Sequence, residues 1–228
     1  ILVTDPLGKT VSYGYNVQDK IATVTDPNSN TTSYSYNGFG ENTTTVSPDT
    51  GTTTQTFNPA GSVLTKTDAR GKTANYTYDS LSRMTQVSYL DGNTTHTYDV
   101  AANGVGQLAS VTDPSGSTTF TYDAYGRVAT KAVNIGGVTK SMSFTRDSVG
   151  RITSITYPSG KVLGLLYNNG KVDDMTWQGN PLILDIQYFP FGGPESWLMN
   201  GNREYTRFTD QNGRTEKYLI PTGFRKLT

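Results

Sequence analysis

Short runs rich in Thr, Tyr and Val, with few consecutive apolar residues, recur along the whole chain, and each run is closed by a cluster of Gly, Pro, Asn or Asp. No turn-free window places apolar residues at i, i+3, i+4 and i+7, so the pattern predicts strands and turns without long helices. Within several runs two aliphatic residues stand three apart: Ile21 and Val24, Met84 and Val87, Leu108 and Val111, Ile152 and Ile155. On a flat strand that spacing puts them on opposite faces. Either a β-bulge lies between the two, or both faces of the sheet are partly covered.

The runs are periodic. An aromatic residue followed by Asn or Asp ends them at Tyr15-Asn16, Tyr36-Asn37, Phe57-Asn58, Tyr78-Asp79, Tyr98-Asp99, Tyr122-Asp123 and Tyr167-Asn168, with three steps of 21 and one of 20, then longer ones after residue 98. Arg146-Asp147 divides the longest gap as a degenerate copy, and two further steps of 21 reach Tyr188-Phe189 and Thr209-Asp210, making ten registers. A Gly stands three residues after the second residue of the register at Gly40, Gly61, Gly126, Gly150, Gly192 and Gly213, followed by a basic or polar residue and an aliphatic one as in Gly126-Arg127-Val128 and Gly150-Arg151-Ile152. A second turn signal lies between registers, as in Asp5-Pro6-Leu7-Gly8, Asp68-Ala69-Arg70-Gly71, Asp91-Gly92, Asp113-Pro114-Ser115-Gly116, Gly136-Gly137 and Pro158-Ser159-Gly160. Each repeat therefore reads as one antiparallel β-hairpin with two turns. The Asn or Asp side chain is expected to accept the backbone N–H two residues on, and the Gly to adopt positive φ.

Composition narrows the function classes. Lys+Arg and Asp+Glu are 19 each, interspersed, so no basic stripe marks a nucleic-acid partner. The absence of Cys excludes disulfides and thiolate metal sites, and no window is apolar enough to span a membrane. His96 is the only His, and no G-x-S-x-G elbow accompanies it. It reads as an ordinary strand residue. The carboxylates Asp79, Asp99, Asp123, Asp147 and Asp210 follow the repeat and are assigned to turns, because a catalytic pair would break the periodicity. Asp173-Asp174 leaves the register and reads as a solvated turn, with a weak Ca²⁺ site as the chemical alternative. Gly104-Val105-Gly106 and Gly136-Gly137 read as hairpin turns and not as phosphate loops. Asn-x-Thr sequons at Asn30, Asn42, Asn75 and Asn93 follow from the abundance of Thr. Trp177 and Trp197 stand off the pattern and are candidates for stacking on sugars, against a packing role. No catalytic residue, cofactor or metal is expected.

The pattern aromatic-x-Tyr-Asp-x-x-Gly-Arg-aliphatic, as in Phe120 to Val128, resembles the Tyr-Asp (YD) repeat of bacterial RHS proteins, and the likeness covers essentially the whole chain. Tyr188 to Trp197, Asn200 to Arg203 and Asp210 to Gly213 are similar to a recurrent RHS segment. The resemblance implies an all-β fold in which repeated hairpins form a curved or spiralling β-sheet strip, a segment of a hollow β-shell. It implies a structural scaffold, and not an enzyme, that encapsulates a C-terminal toxin for secretion, with the rest of the shell and the enclosed polypeptide as partners. The repeat-motif residues are Tyr15, Asn16, Tyr36, Asn37, Tyr78, Asp79, Tyr98, Asp99, Tyr122, Asp123, Gly126, Asp147 and Gly150. A carbohydrate- or cell-surface-binding module is the alternative. The family's self-cleavage core and a toxin domain are not seen. About twenty strands at ~4.8 Å make a strip on the order of 95 Å, so residues 1–228 are expected to be one array of about ten hairpins, wall only, from a longer secreted or cell-surface protein. Exposed strand edges would invite self-association.

Overall fold

The computed structural model describes residues 1–190, 192–199 and 203–220, and the backbone of 223–226. Those residues form strands and turns, with no helix among them. The first half contains β1 (Leu2–Thr4), β2 (Thr10–Tyr15), β3 (Ile21–Thr25), β4 (Thr31–Tyr36), β5 (Asn42–Ser47), β6 (Gly51–Phe57), β7 (Val63–Thr67), β8 (Thr73–Tyr78), β9 (Met84–Tyr89), β10 (Gly92–Tyr98) and β11 (Leu108–Asp113). The second contains β12 (Gly116–Tyr122), β13 (Val128–Ile135), β14 (Val138–Arg146), β15 (Ile152–Thr156), β16 (Val162–Asn168), β17 (Lys171–Trp177), β18 (Asn180–Tyr188), β19 (Pro194–Met199), β20 (Arg203–Thr209), β21 (Thr215–Ile220) and β22 (Gly223–Lys226). All ten registers, Arg146, Tyr188 and Thr209 included, fall at the end of an even-numbered strand.

The chain divides into two compact units, Ile1–Val100 with Leu108–Ser117, and Ala101–Gln107 with Thr118–Thr228. In the first, each strand from β1 to β11 pairs antiparallel with the next. In the second, the same is true from β13 to β22.

The three-residue spacing of aliphatics comes from a bulge. In the β2–β3 ladder Gly14 pairs with Thr23 and Tyr15 with Ile21, so Ala22 is the extra residue. The same slip recurs between Thr77 and Tyr78 opposite Gln86 and Met84, between Thr97 and Tyr98 opposite Ser110 and Leu108, and between Thr145 and Arg146 opposite Ser154 and Ile152. One extra residue reverses the side-chain parity of the strand. Ile21 and Val24 thereby share a face, opposite Tyr15 and Tyr13.

The bulges sort the side chains into two different faces. In the first unit one face is a row of hydroxyls and amides: Ser35, Thr44, Thr54, Thr67 and Thr73 stand opposite one another on five successive strands. Thr56, Thr65, Asn75, Ser88 and Asn93 form a second such row. Cross-strand hydroxyl bonds join Thr56 to Thr65 at 2.7 Å and Thr67 to Thr73 at 2.8 Å. The opposite face carries the aromatic and aliphatic pairs Tyr13/Val24, Phe57/Val63, Tyr76/Val87 and Tyr98/Leu108. Even this apolar face is thinly covered. Among the described residues Ala74, Val87, Ala109 and Ile186 are the buried hydrophobics. The chain exposes 14991 Å², against about 10,000 Å² for a compact protein of the same mass. Strand pairing and local turn bonds, more than a deep core, therefore hold each repeat.

Candidate functional site

The repeat-motif residues do structural work that can be followed atom by atom. In seven register turns the Asn or Asp Oδ1 accepts two backbone N–H groups, two and four residues on. Asn16 takes Gln18 and Lys20, Asn37 takes Phe39 and Glu41, and Asp79 takes Leu81 and Arg83. Asp123 takes Tyr125 and Arg127, and Asp147 takes Val149 and Arg151. The backbone closes the same loop, as where Gly126 N donates to Asp123 O and Asp123 N to Arg127 O. The sequence signal predicted the first side-chain bond; the second was not foreseen.

Several intervening turns use identical bonds, for Asp5 and Asp68 accept in the same way. Two turn types in the sequence are thus one physical device. The fourth residue of the loop takes positive φ, 72° at Gly126 and 95° at Gly150, which Gly adopts without strain. Asp19, Ser29 and Ser82 fill that place at φ 57°, 67° and 60°.

The register tyrosines reach across the bulge. Tyr36 Oη donates to Ile21 O at 2.8 Å, Tyr78 to Val63 O at 2.8 Å and Tyr98 to Met84 O at 3.1 Å. Tyr167 reaches Ile152 O and Tyr188 reaches Val172 O, both at 2.8 Å. Ile21, Val63, Met84 and Ile152 open their bulged strands, and Val172 is the second residue of β17. On the side of β8 the β7–β8 ladder ends at Thr65 and Asn75, so the hydroxyl supplies the bond that the ladder cannot. Arg146 fills the role of the missing tyrosine, donating Nη1 to Val128 O at 2.7 Å. Tyr15, in β2, is 45% exposed. Tyr122 lies with its ring against Gly104, where a Cβ would stand 2.9 Å from it.

Arginines staple one repeat to the next. Arg83 donates Nε to Asp79 and both Nη atoms to Asp99 of the following register, with its guanidinium 4.4 Å over the Tyr98 ring. Asp99 therefore serves as a bidentate acceptor for the guanidinium of the preceding register. Arg127 and Arg151 bind Asp123 and Asp147 through Nε at 2.8 and 2.7 Å. Arg151 covers Tyr167 and Lys171 covers Tyr188 of the next repeats. A Cβ at Gly150 would overlap Arg127 Nη1, the movable end of a long side chain, so the positive φ is what calls for Gly there.

These contacts set the titration behaviour. The backbone N–H of Arg83, with its guanidinium, holds Asp79 below the usual carboxylate range despite some desolvation. At Asp123 and Asp147 desolvation pushes upward but is outweighed by the bonds from Arg127 and Arg151, so both are lowered. Burial raises the Tyr76, Tyr122 and Tyr188 phenols.

The off-pattern residues separate from these. Trp177 is half-buried, its ring 5.7 Å from Tyr157 with Lys161 5.8 Å above it. Trp197 is half-buried and stacked on Tyr205 at 5.9 Å, with Tyr218 edge-on at 6.3 Å. Both rings are engaged in packing. His96 faces Val111, and its buried Nδ1 has no hydrogen-bond partner.

Asp173 and Asp174 lie within strand β17 and not in a turn, because Asn169 and Gly170, both at positive φ, make the turn before it. Asp173 is the bulge residue, and Asp174 accepts Asp185 N. Gly92 opens β10, and Leu90-Asp91 is the two-residue turn before it. Gly136-Gly137 is the β13–β14 turn, as expected. Gly104 lies in a loop outside the strands. Among the described residues no three His, Asp or Glu gather as metal ligands, and no helix is long and apolar enough to cross a membrane. Phe191 and Asn200 to Asn202 of the C-terminal segment lie outside the described residues.

Comparison with known proteins adds the following. The family model described as RHS Repeat matches residues 1–28, 15–52, 57–94 and 103–139, together more than half of the chain. No curated protein matches the sequence. A crystal structure of TcdB2-TccC3-Cdc42 superposes with a TM-score of 0.79 at 15% identity, over 92% of this chain and 12% of that one. The Photorhabdus luminescens Tc holotoxin pore with a mutated TccC3 gives 0.78 at 17% identity, over 94% and 12%. TcdB2-TccC3 without its hypervariable C-terminal region gives 0.79 at 16%, over 99% and 14%. The chain thus shares the fold of these toxin structures and spans about an eighth of their length.

Proposed function

Because the chain belongs to the RHS repeat family, we propose that it is a wall segment of an RHS-type β-shell that encloses a C-terminal toxin polypeptide for secretion. The observation that carries this reading is that the chemistry-bearing residues of the motif are spent within the wall. Asn and Asp close turns, tyrosines hold bulge carbonyls and arginines join repeats. A scaffold built of lateral bonds can extend indefinitely without burying much of itself. Four buried hydrophobics among the described residues fit a partition better than a packed globule. In this reading the partners are the remaining turns of the shell and the polypeptide inside, and the role is structural and not catalytic.

Imaging of the longer protein that contains this segment tests the proposal. A lumen holding density that becomes protease-sensitive when the repeats are disrupted is the expected result. A solid stalk, or a C-terminal polypeptide digested equally well with and without intact repeats, would refute it.

A further inference from the structure

Asparagine is followed by glycine at Asn37-Gly38, Asn103-Gly104, Asn169-Gly170, Asn200-Gly201 and Asn212-Gly213. The backbone nitrogen after an Asn can attack that residue's own side-chain amide carbon, and a following Gly removes the Cβ that would hinder the approach. The attack needs two free groups, the side-chain amide and the next N–H. Each hydrogen bond that must open first slows it by roughly two- to tenfold.

Three of the four described pairs are held. Asn37 Oδ1 accepts Phe39 N and Glu41 N, and its Nδ2 donates to Glu41. Gly104 is buried and its N donates to Ala101 O, and Gly213 N donates to Asp210 O. Asn169-Gly170 is different. It is the two-residue tip of the β16–β17 hairpin, closed by the Asn168/Lys171 pair, and both residues are exposed. Among the described residues neither the Asn169 side chain nor the Gly170 N–H has a hydrogen-bond partner. The turn does not demand Asn, because Gly136-Gly137 closes β13–β14 with a similar pair of positive φ values, 57° and 79° against 49° and 81°.

We propose that Asn169 is a self-modification site, which deamidates through a succinimide to a product that loosens the β16–β17 turn. The Gly170 nitrogen loses its proton to hydroxide and bonds to Asn169 Cγ, whose Nδ2 takes a proton from water and leaves as ammonia. Water then adds to one of the two ring carbonyls, and the ring opens to aspartate or isoaspartate. One water is consumed and one ammonia released, with no oxidant, metal or enzyme. Either product sets a carboxylate two residues from Lys171, whose ammonium lies 4.7 Å from the centre of the Tyr188 ring in the next repeat. Isoaspartate also adds a carbon to the backbone of a turn built for two residues. The reaction depends on this turn alone and needs no cargo, so it can fail while the wall reading stands.

Ageing the folded chain in mildly alkaline buffer, with peptide mass mapping and fragmentation that separates aspartate from isoaspartate, tests this, and the same chain in urea supplies the unhindered rates. Asn169 is expected to convert at close to its unfolded rate and to both products, while Asn37, Asn103 and Asn212 fall behind theirs. Gly136→Asn, which copies the pair onto the β13–β14 tip, should react as Asn169 does. In the aged parent chain hydrogen exchange should quicken in β16 and β17 and stay unchanged in β13 and β14. An Asn169 that converts more slowly in the folded chain than Asn103 or Asn212 overturns the site. So does conversion to aspartate alone, or a folded Gly136→Asn chain inert at that residue. Exchange in β16 and β17 that is equal before and after ageing overturns the loosening.

Discussion

The tyrosine that marks each register can be tested through its hydroxyl alone. Tyr78→Phe keeps the ring opposite Met84 but deletes the 2.8 Å bond to Val63 O. That bond is neutral and part-buried, so its net contribution is about 1 kcal/mol, with the upper end set by leaving the bulge carbonyl without a donor. For a chain of this length 1 kcal/mol corresponds to roughly 2–4 °C in Tm. The protein contains its own converse, because Phe57 occupies the register without a hydroxyl. Phe57→Tyr should therefore stabilise by up to about 1 kcal/mol, toward the carbonyl of Asn42, which opens the preceding bulged strand. Urea unfolding of the three chains, followed by circular dichroism and with hydrogen exchange in the β7–β8 repeat to localise the change, measures both signs. A repeat array can unfold in parts, so the exchange data carry the local assignment. If Tyr78→Phe is neutral and Phe57→Tyr destabilises, the hydroxyl is incidental and the ring alone explains the register.

Arg146→Met should cost about 1–2 kcal/mol by removing the donor to Val128 O, and Arg146→Tyr should recover most of it, as read from urea titrations. Gly126→Val should lose roughly 1–2 kcal/mol from its φ of 72°, whereas Gly126→Asn should lose distinctly less, because Asn tolerates that conformation. Asp79→Asn keeps the two turn bonds made through Oδ1 but loses the Oδ2 acceptor of Arg83, so it should destabilise by less than Asp79→Ala, which loses all three bonds and should cost about 1 kcal/mol or more, by analogy with helix caps. Asp79, Asp123 and Asp147 are lowered in the folded chain. Their contribution is complete above the unfolded carboxylate value of about 3.9 and is lost as pH falls through the folded values. Thermal melts should thus be flat toward neutrality and drop below about pH 4, and a drop already complete at pH 6 would contradict the assignment.

Periodicity was legible because it rests on local chemistry. A turn that needs an Oδ1 acceptor and a positive φ advertises both in its residue types, and even the degenerate register at Arg146 could be placed by counting. The aliphatic spacing of three at Ile21/Val24 pointed to a bulge or to two covered faces, and the β2–β3 register selects the bulge. What stayed hidden is what joins one repeat to another. Gly-Arg-aliphatic was visible, but that Arg83 reaches sixteen residues on to Asp99 depends on strand register, which a local pattern does not encode. Asp173-Asp174 was misread for the same reason. Two adjacent carboxylates suggest a turn, yet the bulge at Asp173 lets them stay in β17.

The bulge also explains why one short motif can specify so much. A flat strand with aliphatics at i and i+3 would divide its apolar side chains between two faces. Inserting one residue places Met84 and Val87 together opposite Tyr78 and Tyr76, and leaves Gln86 and Ser88 on the hydroxyl face. The slip strands a carbonyl, the register tyrosine supplies its donor, and the arginine after the next turn residue covers that ring, as Arg83 covers Tyr98. Each element of the motif answers a cost created by the one before it. Removing the bulge should then remove the need for the tyrosine hydroxyl, so deleting Ala22 should make Tyr36→Phe nearly neutral, where in the parent chain it costs about 1 kcal/mol. A double-mutant cycle that leaves the Tyr36→Phe cost unchanged after the deletion would break this chain of dependence.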